Sequence, residues 1–374
     1  MTRILPGGAD LRRYSRHLLI PEVGLAGQQR LASARVLVIG AGGLGSPVLA
    51  YLAAAGIGRL IVIDDDAVDL TNLQRQILYD TADVGAPKAA RAAERLRALN
   101  PQVTVDALGV RFDASNAREL VALADVVVDA SDTFATRYLV NDACVLEGKP
   151  DVSGSIFRFD GQLSVFGAPA GPCYRCLYPE PPPAHLVPSC AEGGVLGVLA
   201  GIIGSFQAAE TLKLILAIGE PLIGRLLLVD ALDARVRDVR IARDPSCTLC
   251  GERPSIRDVA VRPAQRDVLP RGVLDLDLDG LDAALADGAL ILDVREPHER
   301  ALGEVPGAVP IPASALEARL HELDTARSYV VACRVGAKSR WAAQRLKEAG
   351  FGRVYHLRDG LLALAARDAS FDAF

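Results

Sequence analysis

Arg35-Val-Leu-Val-Ile-Gly40-Ala-Gly-Gly-Leu-Gly45-Ser46 is the stretch that decides the fold of the longer part of this chain. Residues 35–39 are a short β-prone run. Gly40, Gly42 and Gly45 follow in the spacing G-x-G-x-x-G, and residues 46–55 continue as a helical pattern. A strand, a glycine loop and a helix in that order let backbone N–H groups approach phosphate oxygens at a helix N-terminus. The next β-prone run, residues 60–63, ends at Asp64. That places an acid about 20 residues into the unit, where it would bind ribose hydroxyls. On these features alone an NAD-dependent oxidoreductase fits equally well.

Working outward, residues 10–33 and 87–99 read as helical, and 103–107 and 126–129 as strands. The alternation predicts an α/β fold with a Rossmann-like, doubly wound parallel sheet. Residues 151–166 change to a strand-rich pattern, with late strands at 226–229 and 236–241, so the sheet should gain an antiparallel extension. Residues 254–272 are polar, contain Pro263 and read as a linker. Beyond it a second, small α/β unit begins, with strands at 289–294, 329–332 and 354–357 and a helix at 339–349. The division is 1–253, linker 254–272, and 273–374.

Composition agrees with a globular chain of this size. Of 374 residues, 50% are hydrophobic and 23% charged, and the net charge is −5. No basic block stands out, so no nucleic-acid partner is expected. The first residues carry charges rather than an apolar run of signal-peptide length. The most apolar stretch, 195–218, is interrupted by Gln207, Glu210 and Lys213 and reads as a buried loop and helix, with no membrane span. A cytoplasmic location is expected.

The residues past the second strand separate the nucleotide readings. Asn72, Arg75 and Gln76 lie just beyond the nucleotide edge, Lys88 follows, and Ser131-Asp132 ends a later strand. Two cations and a carboxylate suit a triphosphate with Mg2+, the cations offsetting charge at the α-phosphate and the carboxylate holding the metal. Hydride transfer has no need of them.

Seven cysteines are an odd number for a disulfide framework. Cys173-Tyr-Arg-Cys176 and Cys247-Thr-Leu-Cys250 can each give two thiolates to one tetrahedral Zn2+, a closed structural site that ties the middle of the domain to its end. Two separate redox dithiols are the weaker alternative. Cys190 lies in Pro188-Ser-Cys-Ala-Glu-Gly-Gly194, a glycine-rich segment where a thiol could capture an activated acyl group. Cys144 sits in a helical pattern and reads as core. Cys333-Arg-Val-Gly-Ala-Lys-Ser339 links a strand to a helix. Its N–H groups, with Arg334 and Lys338, favour a thiolate or persulfide anion. Ser339 stands where a phosphatase-like Cys-x5-Arg loop would need arginine.

From Arg13-Tyr-Ser-Arg-His17 through Cys250 the chain resembles the MoeB/ThiF group of ubiquitin-activating-type enzymes. The resemblance implies ATP contacts at the Gly40 loop, including Gly43, at Asp64, at Thr71, Asn72, Leu73, Gln74 and Arg75, and at Lys88 and Asp132. It implies zinc on the four paired cysteines. It also implies a homodimer in which Arg16 reaches the phosphates of the other subunit. Thr133 is counted among the nucleotide-binding residues too, although it departs from the family's usual asparagine. Residues 273–374 resemble a rhodanese domain, with Leu292-Asp-Val-Arg-Glu296 and Pro306-Gly-Ala-Val-Pro310 as its motifs. In that family the loop cysteine, here Cys333, carries a persulfide. Gly303-Glu-Val-Pro306 and Arg358-Asp-Gly360 depart from its usual pattern.

The combined domain order resembles MoeB–rhodanese fusions. It implies ATP-dependent adenylation of the C-terminal glycine of a ubiquitin-like sulfur-carrier protein, by default the small subunit of molybdopterin synthase. Sulfur transfer from Cys333 would follow, with Cys190 taking part. The sulfur donor would be thiosulfate or a cysteine desulfurase. Rival expectations are adenylation of a non-protein carboxylate, an NAD-dependent oxidoreductase, and a redox sensor built on Cys333.

Overall fold

Val36, Leu37, Val38 and Ile39 have almost no exposed surface, yet they serve two different cores. Val36 and Val38 pack with Leu49 and Leu52 on one face of a sheet, while Leu37 and Ile39 pack with Val121 and Val140 on the other. Successive residues of a strand point to opposite faces, so a continuous apolar run marks a strand covered on both sides. The computed structural model describes residues 11–181, 193–259 and 271–367. These form two compact units.

The first unit holds an eight-stranded sheet in the order β3-β2-β1-β4-β5-β6-β7-β8. Its strands are β1 (Arg35–Ile39), β2 (Arg59–Ile63), β3 (Thr104–Leu108), β4 (Val126–Asp129), β5 (Asp151–Phe157), β6 (Asp160–Phe166), β7 (Arg225–Asp230) and β8 (Arg235–Arg240). From β3 to β5 the pairs are parallel. From β5 to β8 they are antiparallel. The expected doubly wound sheet with its antiparallel extension is therefore present. Strand order reverses between β1 and β4, the place where open α/β sheets bind ligands beyond their carboxyl ends.

One local expectation needs correcting, and the reading of the apolar stretch holds. Residues 10–33 are not one helical stretch but two helices, Ser15–Leu18 and Gly24–Ser33. Pro21 lies between them without an amide donor, and Gly24 takes φ +52°. The apolar stretch becomes the helix Gly197–Leu216, long and apolar enough to cross a membrane by length and composition. Here it is a core helix. Leu199 and Ile203 are fully buried, and Glu210 accepts a hydrogen bond from the Leu222 N–H at 2.8 Å.

The second unit is a five-stranded parallel sheet, β11-β10-β12-β13-β9. It is made of β9 (Val273–Leu276), β10 (Leu290–Asp293), β11 (Val309–Pro310), β12 (Tyr329–Ala332) and β13 (Val354–Leu357). Tyr329 and Val331 of the central strand face Ala342 and Leu346 of the helix Ala337–Glu348. Val330 and Ala332 face Leu281 and Leu361 on the opposite side. Cys333 follows β12 directly, so the middle of the sheet aims its carboxyl end at the loop. The helix after the loop starts at Ala337, two residues earlier than residues 339–349 would have it.

Candidate active sites

At the carboxyl end of β1 the chain turns through Gly40 at φ +94°. A Cβ on Gly45 would meet the Gly40 carbonyl oxygen at 2.0 Å, so the loop itself forbids any side chain there. Gly42 and Gly43 differ: an added Cβ would find nothing nearer than 3.4 Å, and its neighbours would be the side chains of Gln76, Arg75 and Ala200. Protein packing does not demand glycine at these two positions, whereas close approach of a phosphate to the backbone would. The structure thus brings the glycine loop against Arg75 and Gln76, as the sequence implied.

Asp64 ends β2 and buttresses this loop. Its Oδ2 accepts from the Ala41 N–H at 2.8 Å and its Oδ1 from the Asp66 N–H at 2.9 Å. Burial raises the Asp64 carboxyl above its ordinary range, outweighing these two bonds. Lys88 is nearly buried, and its Nζ reaches Asp66 Oδ2 at 2.8 Å. Arg75 Nη1 donates to the Thr71 carbonyl at 3.1 Å, and Gln76 Nε2 donates to Asn72 Oδ1 at 2.7 Å. Thr71 is pinned in turn by Asp69, whose Oδ1 accepts from the Thr71 N–H at 2.8 Å. Leu73 packs against the core, and the backbone of Gln74 lies against Gly197. Arg16 is exposed on the short helix Ser15–Leu18.

The loop after β4 carries Ser131, Asp132 and Thr133. Asp132 is exposed, and its backbone is fixed by a buried network that the sequence reading missed. Asp129 Oδ1 accepts from the Ser131 N–H at 3.0 Å and from its Oγ at 2.6 Å. Arg137 donates to the carbonyls of Ser131 and Gly154, each at 2.9 Å. Gln207 donates to the Asp129 carbonyl at 2.7 Å and to Val152 at 3.0 Å. Burial pushes the Asp129 carboxyl up, with Arg137 pulling against it. The available signal was a lone glutamine inside an apolar helix. Thr133 accepts from the Thr136 N–H at 3.2 Å and so caps the helix Phe134–Glu147.

The four paired cysteines converge. Their sulfurs all lie within 4.8 Å of one another. Cys173–Cys247 is 3.6 Å and Cys176–Cys250 is 3.3 Å. A buried ion pair, Arg175–Asp142 at 2.7 Å, fixes the first pair to the helix Phe134–Glu147. Burial and the neighbouring sulfurs push the Cys250 thiol up to about 11. Tetrahedral sulfurs about 2.3 Å from a metal are spaced as these are. The set can hold a metal ion. Cys190 lies outside the described residues, and Cys144 is fully buried, as its helical pattern implied.

In the second unit Cys333 is only 1% exposed. Its Sγ accepts from the Ser339 N–H at 3.4 Å, and its thiol donates to Ser339 Oγ at 3.4 Å. Gly336 turns the loop at φ +91°, where a Cβ would meet the Arg358 carbonyl oxygen at 2.2 Å. The two loop cations are not equivalent. Lys338 Nζ is held at 2.8 Å by Glu299, which is itself buried, whereas Arg334 Nε is buried with no hydrogen-bond partner among the described residues. Of the motif Leu292–Glu296, Asp293 and Arg295 form a buried pair at 2.8 Å, which places the motif in the scaffold. The departure at Arg358-Asp-Gly360 keeps the glycine that matters: a Cβ on Gly360 would meet the Arg334 carbonyl oxygen at 2.4 Å.

The ThiF family matches residues 14–249, and the rhodanese-like domain matches residues 277–367. A Thermus thermophilus protein named sulfur carrier protein adenylyltransferase is 56% identical over 67% of this chain and 94% of its own length. A Mycobacterium tuberculosis protein named "Probable adenylyltransferase/sulfurtransferase MoeZ" is 45% identical over 95% of this chain and 93% of its own. Among solved structures, E. coli MccB with succinimide superimposes with a TM-score of 0.59 at 25% identity, covering 66% of this chain and 77% of that one. The chain belongs to the ThiF family, and a rhodanese-like domain follows its adenylating domain.

Proposed function

We propose that this protein is an adenylyltransferase and sulfurtransferase that activates the C-terminal glycine of a ubiquitin-like sulfur carrier with ATP and converts it to a thiocarboxylate. The observation that carries the reading is the pair Gly42 and Gly43, free of packing demands and facing Arg75 and Gln76 at the switch point of a chain that also carries the Cys333 loop. The relatives named as sulfur carrier protein adenylyltransferase and as adenylyltransferase/sulfurtransferase support it. They also favour a protein carboxylate over a small-molecule one. The molybdopterin synthase small subunit is the carrier we assign by default.

In the first step the carrier carboxylate oxygen bonds to the α-phosphorus of ATP while the bond to pyrophosphate breaks. The glycine-loop N–H groups bind phosphate oxygens, and Arg75 and Lys88 offset the charge that builds there, with Arg16 of the partner subunit in a homodimer. Asp132 would hold Mg2+, which supplies further charge neutralisation on the phosphates. Thr71, Asn72, Leu73 and Gln74 shape the floor beside Arg75, and Asp64 fixes the loop next to the ribose. Thr133 caps its helix rather than contacting nucleotide. Cys173, Cys176, Cys247 and Cys250 would hold Zn2+ as a structural tie with no open position.

In the second step the terminal sulfur of a Cys333 persulfide attacks the acyl carbon, displacing AMP directly, or displacing the Cys190 thiolate after Cys190 has itself displaced AMP to form a thioester. The product is an acyl disulfide on Cys333. A thiolate, Cys190 or an external thiol, then attacks the Cys333 sulfur, releasing the carrier thiocarboxylate and leaving a disulfide. External thiols reduce that disulfide by two exchange steps and leave as a disulfide themselves. Thiosulfate or a cysteine desulfurase loads Cys333, and a reducing, cytoplasmic setting suits the free thiols.

The test is ATP–pyrophosphate exchange with purified carrier. Carrier-dependent exchange supports the reading. Exchange that needs no carrier, or NAD binding in place of exchange, overturns it.

A further inference from the structure

His356, on β13, is fully buried, and both of its ring nitrogens face oxygen acceptors. Nδ1 lies 2.8 Å from Asp275 Oδ1, and Nε2 lies 2.8 Å from the carbonyl oxygen of Gly336, the central residue of the Cys333 loop. A carbonyl only accepts, so Nε2 carries a proton. Asp275 also accepts from Arg358 Nε at 2.7 Å. Burial disfavours the Asp275 anion, but the His356 and Arg358 hydrogen bonds outweigh it and hold the carboxyl below its ordinary range. An ionised carboxylate likewise only accepts, so Nδ1 carries a proton too.

We propose that His356 is an imidazolium clamped between Asp275 and the Gly336 carbonyl, and that it is a positioning residue for the sulfur chemistry of Cys333. The role follows from what else the Gly336 carbonyl does. It also accepts from Ser339 Oγ at 3.0 Å, and that same hydroxyl faces Cys333 Sγ at 3.4 Å. While Cys333 is a thiol, its proton points at Ser339 Oγ, and the Ser339 proton points at Gly336. Once the sulfur is anionic, the Ser339 hydroxyl is best turned toward it. That turn costs little only if the buried carbonyl keeps another donor, because an abandoned buried acceptor is expensive. Two donors remain, the Arg340 backbone N–H at 3.4 Å and His356 Nε2 at 2.8 Å, and His356 is the closer and the charged one. Other charged groups around this cluster are Arg334 in the loop, Arg340 on the helix that follows it, Arg358 with Asp277 and Asp359, and Lys338 with Glu299, which pair with each other. Among the described residues the side-chain hydrogen bonds to the Gly336 carbonyl come from Ser339 and His356. Neither MoeB-type nor rhodanese motifs from the sequence include His356 or Asp275.

This inference rests on Cys333 being the persulfide carrier, and its test separates the two. The full chain and its His356→Gln variant are loaded with thiosulfate, and sulfur on Cys333 is followed by mass across the neutral pH range. The variant should load about tenfold more slowly near neutrality, the effect of one charge-assisted hydrogen bond, and its profile should shift to higher pH. ATP–pyrophosphate exchange should be unchanged. Ser339→Ala should show the same shift, and combining the two should add little, since both act on one carbonyl and one hydroxyl. Nitrogen NMR of histidine-labelled wild type should show both ring nitrogens of His356 protonated, with Asp275→Asn relaxing one of them, and this reading stands even where His356→Gln does not fold. A neutral His356, or a His356→Gln profile that matches wild type, overturns the inference. A wild type that takes no sulfur onto Cys333 overturns the sulfurtransferase assignment of that residue instead, and the nitrogen signals still report the charge of His356.

Discussion

Asp64 Oδ2 and the Ala41 N–H are 2.8 Å apart, so the acid that ends β2 holds the glycine loop that ends β1. The expected partner of this acid is ribose. The structure adds a second duty, because one oxygen already braces the phosphate loop. Asp64→Ala should therefore raise the KM for ATP by at least about tenfold, losing a charge-assisted bond and the loop shape together. Exchange rates at varied ATP check this. A KM within twofold of wild type would contradict it.

Asp132 and Thr133 are neighbours with separate roles. Asp132→Ala should abolish both exchange and carrier sulfuration, since the residue is assigned the metal at the reacting phosphates. Thr133→Ala should cost about 1 kcal/mol of stability through the lost cap, with the KM for ATP unchanged. Thermal unfolding and exchange kinetics separate the two.

The parts of the site legible in the sequence are those carried by the local chain. Gly40 to Gly45, Asp64, Arg75 and Asp132 follow strand ends, and strand ends are visible in the pattern. The Cys-x-x-C pairs announce themselves by spacing, and the convergence of their sulfurs needed only the fold to close. What stayed hidden depends on distant segments meeting. Gln207 reaches Asp129 across 78 positions, and His356 reaches Asp275 across 81. No window of sequence contains both members of either pair. The split of residues 10–33 into two helices was legible at Pro21 but outweighed by the surrounding helical composition.

Asp151 on β5 is 1% exposed, and its Oδ1 has no hydrogen-bond partner among the described residues. Burial, then the nearby Asp129 anion, push its carboxyl well above the ordinary range, with Arg137 opposing. A raised folded-state value means the native state holds this proton more tightly than the unfolded chain does. Stability then falls as pH rises above the unfolded value of about 3.9. Asp151→Asn removes the penalty and places a donor near Asp129, whose Oδ2 is also unpartnered. The variant should gain about 1–3 kcal/mol at neutral pH, the cost of one unsatisfied buried group. The gain should vanish as pH approaches 4, and unfolding midpoints across that range would show it.

Cys176→Ser should remove one of four converging thiolates. Native mass spectrometry should show one zinc on wild type and none on the variant, and thermal unfolding should drop, because metal affinity and folding are linked at such sites. Full zinc content in the variant would place the metal elsewhere.

Cys333→Ala separates the two halves of the reaction, and intact mass of the carrier reads both. Wild type, the carrier, ATP with Mg2+ and thiosulfate should give a carrier in which one oxygen is replaced by one sulfur. Cys333→Ala should give an unchanged carrier mass while carrier-dependent ATP–pyrophosphate exchange continues. A wild-type reaction that leaves the carrier mass unchanged, or a Cys333→Ala reaction that still installs sulfur, would contradict the account.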